Sequence, residues 1–198
     1  FSTSSCTFDD PAITSMKAID FWFSKISSTN QLAVDQCCGS GNGNEFLSLV
    51  ADKNSAVGFA ISRVSNIGFI ACISSNSIKV DQPVYTSSGL TQCPRKDKDF
   101  SSLCASDDVC AFCENHIGCN NKGQFGPRCP ADTQLVSIPS NVRGMIISNI
   151  NSLRNIVASG QQPGFSSALK MNLVVSPKIP KLIKISLNLS YLDSKSRA

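Results

Sequence analysis

Residues 110–130 read CAFCENHIGCNNKGQFGPRCP, and no other stretch bears as much on the fold. Cys110, Cys113, His116, Cys119 and Cys129 place four thiols and the chain's single histidine within twenty residues. Two chemistries compete for them. Zinc needs four nitrogen or sulfur ligands in a tetrahedron, and Cys110-x-x-Cys113 is a usable half-site. The second half is poor, because the spacings to His116 and Cys119 crowd the remaining ligands onto the same loop. Disulfides are the simpler use. The chain holds ten cysteines in 198 residues, seven of them from Cys72 to Cys129, beside Gly, Pro and Asn and not in apolar runs. Such density points to an oxidising compartment and to a loop region fixed by disulfides.

Working outward, periodicity returns on both sides. Upstream, runs at 45–51, 56–62 and 68–74 are rich in Phe, Ile and Val and read as strands. Asp52-Lys53-Asn54 turns the first into the second, and Ser65-Asn66 turns the second into the third. Further back, Ile13, Met16, Ile19, Trp22/Phe23 and Ile26 recur at helical spacing, so a helix is expected over 11–26. Asp10 is placed to cap it, and Pro11 suits its first turn. Downstream, Ser140 is the expected N-cap of a helix running to Ala158. Val142, Met145/Ile146, Ile150, Leu153 and Val157 form its apolar stripe, and Gly160 ends it. A short strand is expected at 169–175 and, beyond Pro177 and Pro180, a weaker amphipathic helix at 182–192. Helices and strands in this order make an α+β protein.

Composition narrows the function. The chain is 41% hydrophobic with a net charge of +4, and its Lys and Arg residues are spread out, which gives no case for nucleic-acid binding. The lysines of 178–197 alternate with apolar residues and read as a solvated surface. No apolar run is long enough to span a bilayer. Asn188-Leu189-Ser190 is a glycosylation sequon, in agreement with secretion. The chain opens on Phe1 without a signal peptide, so an internal piece of a longer product is expected. Catalysis lacks parts. His116 is the only base for a nucleophile and sits inside the cysteine cluster. Asp9/Asp10 and Asp107/Asp108 read as cap and loop residues, and no second acid is placed for paired work. Gly39-x-Gly41-x-Gly43 follows no strand, and Trp22 reads as core. A non-enzyme without a cofactor is the expectation.

Cys110-x2-Cys113-x2-His116-Ile117-Gly118-Cys119-Asn120-Asn121, followed by Gly123-x-Phe125-Gly126-Pro127-x-Cys129-Pro130, resembles the opening of mature antigen-5-like proteins of insects. These belong to the CAP superfamily (cysteine-rich secretory proteins, antigen 5, pathogenesis-related). Ile147-x2-Ile150-Asn151-Ser152-Leu153-Arg154-Asn155-x2-Ala158-x-Gly160 is similar to the first CAP helix, and Met171-x-Leu173-Val174-Val175 to the run after it. Phe46-Leu47-x-Leu49-Val50, Val57-Gly58-x-Ala60 and Ile70-Ala71-Cys72 resemble the late strands. Pro83-Val84-Tyr85-Thr86, Cys93 and Leu103-Cys104 resemble the domain's close. The order is inverted. The resemblance therefore implies the C-terminal half of a CAP domain at 1–105, a cysteine-rich extension or linker at 106–130 and an N-terminal half at 131–198. Two tandem domains, or one circularly permuted α-β-α sandwich, would each produce that order, as would an inaccurate gene model.

The family's cleft, with two histidines and acidic residues able to hold a divalent metal, does not carry over. Its His-Phe reads Glu45-Phe46, its Trp-x-x-Glu reads Trp22-Phe23-Ser24-Lys25, and its His-Asp-x-Cys-Arg falls on 192–197. Lys25, Glu45 and Ser194 are thus degenerate cleft positions without imidazole ligands, and no metal is expected there. The resemblance further implies the disulfides Cys93–Cys104 and Cys110–Cys119. Phe59 stands where the family has a cysteine, which leaves Cys72 without its expected mate. The implied protein is secreted and non-catalytic, glycosylated at Asn188, and binds a small apolar ligand or an extracellular protein. A degenerate fragment without independent function and a small zinc module are the alternatives.

Overall fold

The structure, a computed structural model, describes residues 2–37, 45–88, 91–105 and 132–175. The expected hairpin organises it. Strands β2 (Val57–Val64) and β3 (Ile67–Ser74) pair antiparallel from Val57↔Ser74 to Val64↔Ile67. Ser65 takes a left-handed φ of 51° at the turn, Arg63 Nε donates to its carbonyl at 2.6 Å, and its hydroxyl donates to Asp132 at 3.0 Å. β1 (Ser2–Thr7) adds antiparallel to β3, and β4 (Gln134–Val136) adds to β2, giving the order β1-β3-β2-β4.

Helix α1 (Pro11–Ser24) starts as its sequence directs, with the Asp10 carboxylate accepting from the backbone of Ala12 and Ile13 and Pro11 at the first position. A 3-10 turn, Lys25–Ser28, and the short α2 (Gln31–Asp35) follow. Helix α4 spans Ser140–Ala158. Its N-cap is Pro139, not Ser140, and no side chain caps it. Gly160, at a φ of 74°, lets the chain reverse so that Ala168 donates to the Ala158 carbonyl.

Two departures from expectation have physical causes. Residues 45–50 form helix α3 (Glu45–Val50), not a strand. Phe46, Leu47, Leu49 and Val50 are all buried, and a short run buried on every side carries no period that separates helix from strand. Residues 169–175 make single bridges instead of a strand. Their backbone partners change at each step: Thr86, Cys104, Asp52, the Asn151 side chain and Ser55. The expected helix at 182–192 lies outside the described residues.

Side chains collect in two cores. The first joins Ala18, Ile19 and Trp22 of α1 to Val57, Ile61, Ile70 and Cys72 of the hairpin and to Val142, Ile146 and Ile150 of α4. In the second, Val34, Phe46, Leu47, Val50, Val84, Tyr85 and Leu103 meet Val157, Ala158, Ala168 and Met171. Residues from 1–105 and from 131–175 therefore contribute to both.

Candidate functional site

Of the cleft positions singled out from the sequence, Lys25 and Glu45 are described and Ser194 is not. Lys25 opens the 3-10 turn after α1, with its ammonium 4.3 Å from the centre of the Phe21 ring, a cation–π contact. Glu45 is the first residue of α3, where a carboxylate suits the positive end of the helix dipole. The next residue, Phe46, is fully buried and meets Phe23 edge-on at 5.3 Å and Phe165 at 5.6 Å. Aromatic packing thus occupies this end of α3. No group of three or more His, Cys, Asp or Glu that could hold a metal exists among the described residues. Ser194, Asn188 and the cluster Cys110, Cys113, His116, Cys119 and Cys129 lie outside them.

The cysteines divide in the same way. Cys93 and Cys104 form a disulfide with a Cα–Cα distance of 5.0 Å, and the buried Cys37 is also disulfide-bonded. Cys104 then bridges to Asn172, which ties the 93–104 loop to the far half of the chain. Cys6 and Cys72 are free thiols. Cys72 lies directly opposite Phe59 in the ladder, and burial pushes its thiol up to about 12, so the reactive thiolate is suppressed.

The strongest electrostatic feature is one that reading the sequence alone misses. Arg154, on α4, is 1% exposed. Its guanidinium donates five hydrogen bonds to backbone carbonyls: to Leu49, to Ala51 twice at 3.1 Å, to Asn54 at 3.4 Å and to Asn172 at 2.8 Å. Leu49 lies in the last turn of α3, so Arg154 satisfies carbonyls left open where that helix ends. Desolvation pushes the guanidinium down to about 9, opposed by Asp52, and it stays protonated at neutral pH. One turn earlier, the buried Asn151 donates to the Val174 carbonyl at 2.8 Å and accepts from the Val174 amide at 3.0 Å. Asn155 accepts from the Ser102 amide at 2.9 Å. Spacing held the signal for Arg154, which follows Ile146 and Ile150 at intervals of four on the buried face of α4.

Two curated proteins are similar to the chain in part. An antigen 5 like allergen, Cul n 1, of Culicoides nubeculosus is 36% identical over 59 residues, covering 30% of this chain and 27% of that protein. Venom allergen-1 of Aedes albopictus is 35% identical over 60 residues, covering 30% of this chain and 23% of that protein. This chain carries an antigen-5-like segment. Its matches span about a quarter of the length of these relatives. No family model matches the chain, and no solved structure does. Both relatives are named as allergens and neither as an enzyme. No helix among the described residues is long and apolar enough to cross a membrane.

Proposed function

We propose that this chain is a secreted, antigen-5-like protein of the CAP superfamily that acts by binding a small apolar ligand or an extracellular protein, without catalysis. Its similarity over about 60 residues to two allergens carries the reading. The disulfides at Cys93–Cys104 and at Cys37 support an oxidising compartment. Lys25, standing where the resemblance puts a carboxylate of the family's metal cleft, supports binding without a metal, since a lysine ammonium has no lone pair to offer a cation.

In this reading the halves at 1–105 and 131–198 form one circularly permuted α-β-α unit, with 106–130 between them. The bonds from Arg154 to the carbonyls of Leu49, Ala51 and Asn54 support it, because a side chain of one half satisfies carbonyls of the other. A degenerate fragment without a cooperative fold would have no use for such bonds.

Mapping the bridges of the natively secreted, unreduced protein tests the reading. Cys93–Cys104 and Cys110–Cys119 should both be recovered as disulfide-linked peptides. Ten free thiols with bound zinc would overturn it in favour of an intracellular zinc module.

A further inference from the structure

The sheet ends on one side at β1, and among the described residues no strand pairs with its outer edge. Which backbone groups face that edge follows from the pairing on the inner side. Just past β1 the Phe8 amide donates to the Asn66 carbonyl at 2.7 Å, in line with the β1–β3 register. Antiparallel pairs alternate between hydrogen-bonded and non-hydrogen-bonded, so Ser2, Ser4 and Cys6 turn their amides and carbonyls toward β3. Thr3, Ser5 and Thr7 turn theirs outward. β1 also lacks the features that block pairing at an edge. Ser2–Thr7 holds no charged residue and no proline, and its register runs unbroken from Ser2↔Cys72 to Thr7↔Ile67, without a bulge. The opposite edge, β4, is only three residues long.

A free thiol on this strand selects the partner. Cys6 is half-buried, whereas the free thiol of Cys72 is sealed in the first core at 2% exposure. We propose that β1 pairs antiparallel with β1 of a second copy of this chain, about a two-fold axis at Cys6, and that the two Cys6 thiols close a disulfide. In this register Ser5 of each copy bonds Thr7 of the other through their outward groups. Cys6 then meets its counterpart at a non-hydrogen-bonded pair, where Cα atoms lie about 4.5 Å apart. Disulfides join Cα atoms roughly 4.4–6.8 Å apart, so the bond closes without moving either strand. An unrelated strand would have to carry its own cysteine in that register, and a second copy supplies one by symmetry. The bond forms by exchange with a low-molecular-weight disulfide. One Cys6 thiolate attacks it and expels a small thiol, and the other Cys6 attacks the mixed disulfide and expels the second. Two protein thiols are oxidised and one small disulfide is reduced. This inference stands independently of the antigen-5-like reading.

The test treats the full, unreduced chain with glutathione disulfide and follows it by non-reducing electrophoresis and peptide mapping. A covalent dimer linked from Cys6 to Cys6 is expected. A chain that stays monomeric, or a dimer joined only through other cysteines, would overturn the proposal. Ser5→Pro in the full chain separates strand pairing from mere access to the thiol, since it removes an amide that faces outward and spares the ladder to β3. Dimer yield should fall several-fold while Trp22 emission is unchanged. An unchanged yield would mean that the thiols react without strand pairing, and would overturn the proposal as well.

Discussion

The two cores are built on different principles. In the first, regular elements bring their apolar faces together: α1, the hairpin and α4 meet through Trp22, Ile61, Ile70 and Ile146, and the backbone satisfies itself within helices and ladders. In the second, Val84, Tyr85, Leu103 and Met171 sit on irregular chain, so backbone groups find partners one at a time. A buried cation and a disulfide do there what periodic hydrogen bonding does in the first core. A chain of lean hydrophobicity can thus extend its interior beyond its regular elements, but single residues then carry loads that a ladder would share.

Arg154 stands where the cores join, between Ile150 of the first and Val157 of the second. Arg154→Met fills the volume and removes the guanidinium donors from the carbonyls of Leu49, Ala51, Asn54 and Asn172. A loss of about 3–5 kcal/mol is expected, read from guanidinium denaturation, and it is the largest of the expected losses. Ile70→Ala leaves a cavity inside the ladder-supported core. It should cost about 3 kcal/mol, with amide exchange in β2 and β3 rising before exchange at 93–105.

Removing the bridge with Cys93→Ser and Cys104→Ser should cost about 2–3 kcal/mol by freeing a loop with a sequence separation of 11. The contrast with Ile70→Ala sharpens the comparison, since exchange should in this case rise first around Leu103 and Met171. Asp10→Ala removes the α1 cap and should cost about 1 kcal/mol, seen as a lower urea midpoint.

The smallest effect concerns Asp52, whose carboxyl is pushed up by half-burial against the opposing pull of Lys53, backbone amides and Arg154. A carboxyl raised on folding holds its proton better in the folded state. Its contribution is therefore fully present below the unfolded carboxylate range and is lost as pH rises through the folded value. Asp52→Asn should raise the urea midpoint slightly at about pH 7 and leave it unchanged at about pH 3.

The same contrast explains what the sequence discloses. Asp10-Pro11, the hairpin turn at Ser65-Asn66 and the stripe of α4 are legible because local chemistry and tertiary structure agree there. β1 is not, since Ser2–Thr7 is a run of small polar residues made into a strand by pairing with β3. Glu45–Val50 reads wrongly as a strand because complete burial erases the period, and 169–175 because its extended backbone pairs with side chains and loops. At the candidate site, Lys25 and Glu45 are visible only through resemblance. The Phe23–Phe46–Phe165 packing joins residues far apart in sequence, which no local pattern reports.

The central claim is that residues of 1–105 and of 131–175 fold as one unit through these shared cores. The most direct measurement follows one guanidinium titration with two probes: Trp22 emission for the first core, and amide exchange across 84–104 for the second. Coincident midpoints are predicted, because α3, α4 and Arg154 couple the cores. Two separated transitions, with Trp22 unfolding independently of 84–104, would contradict the account.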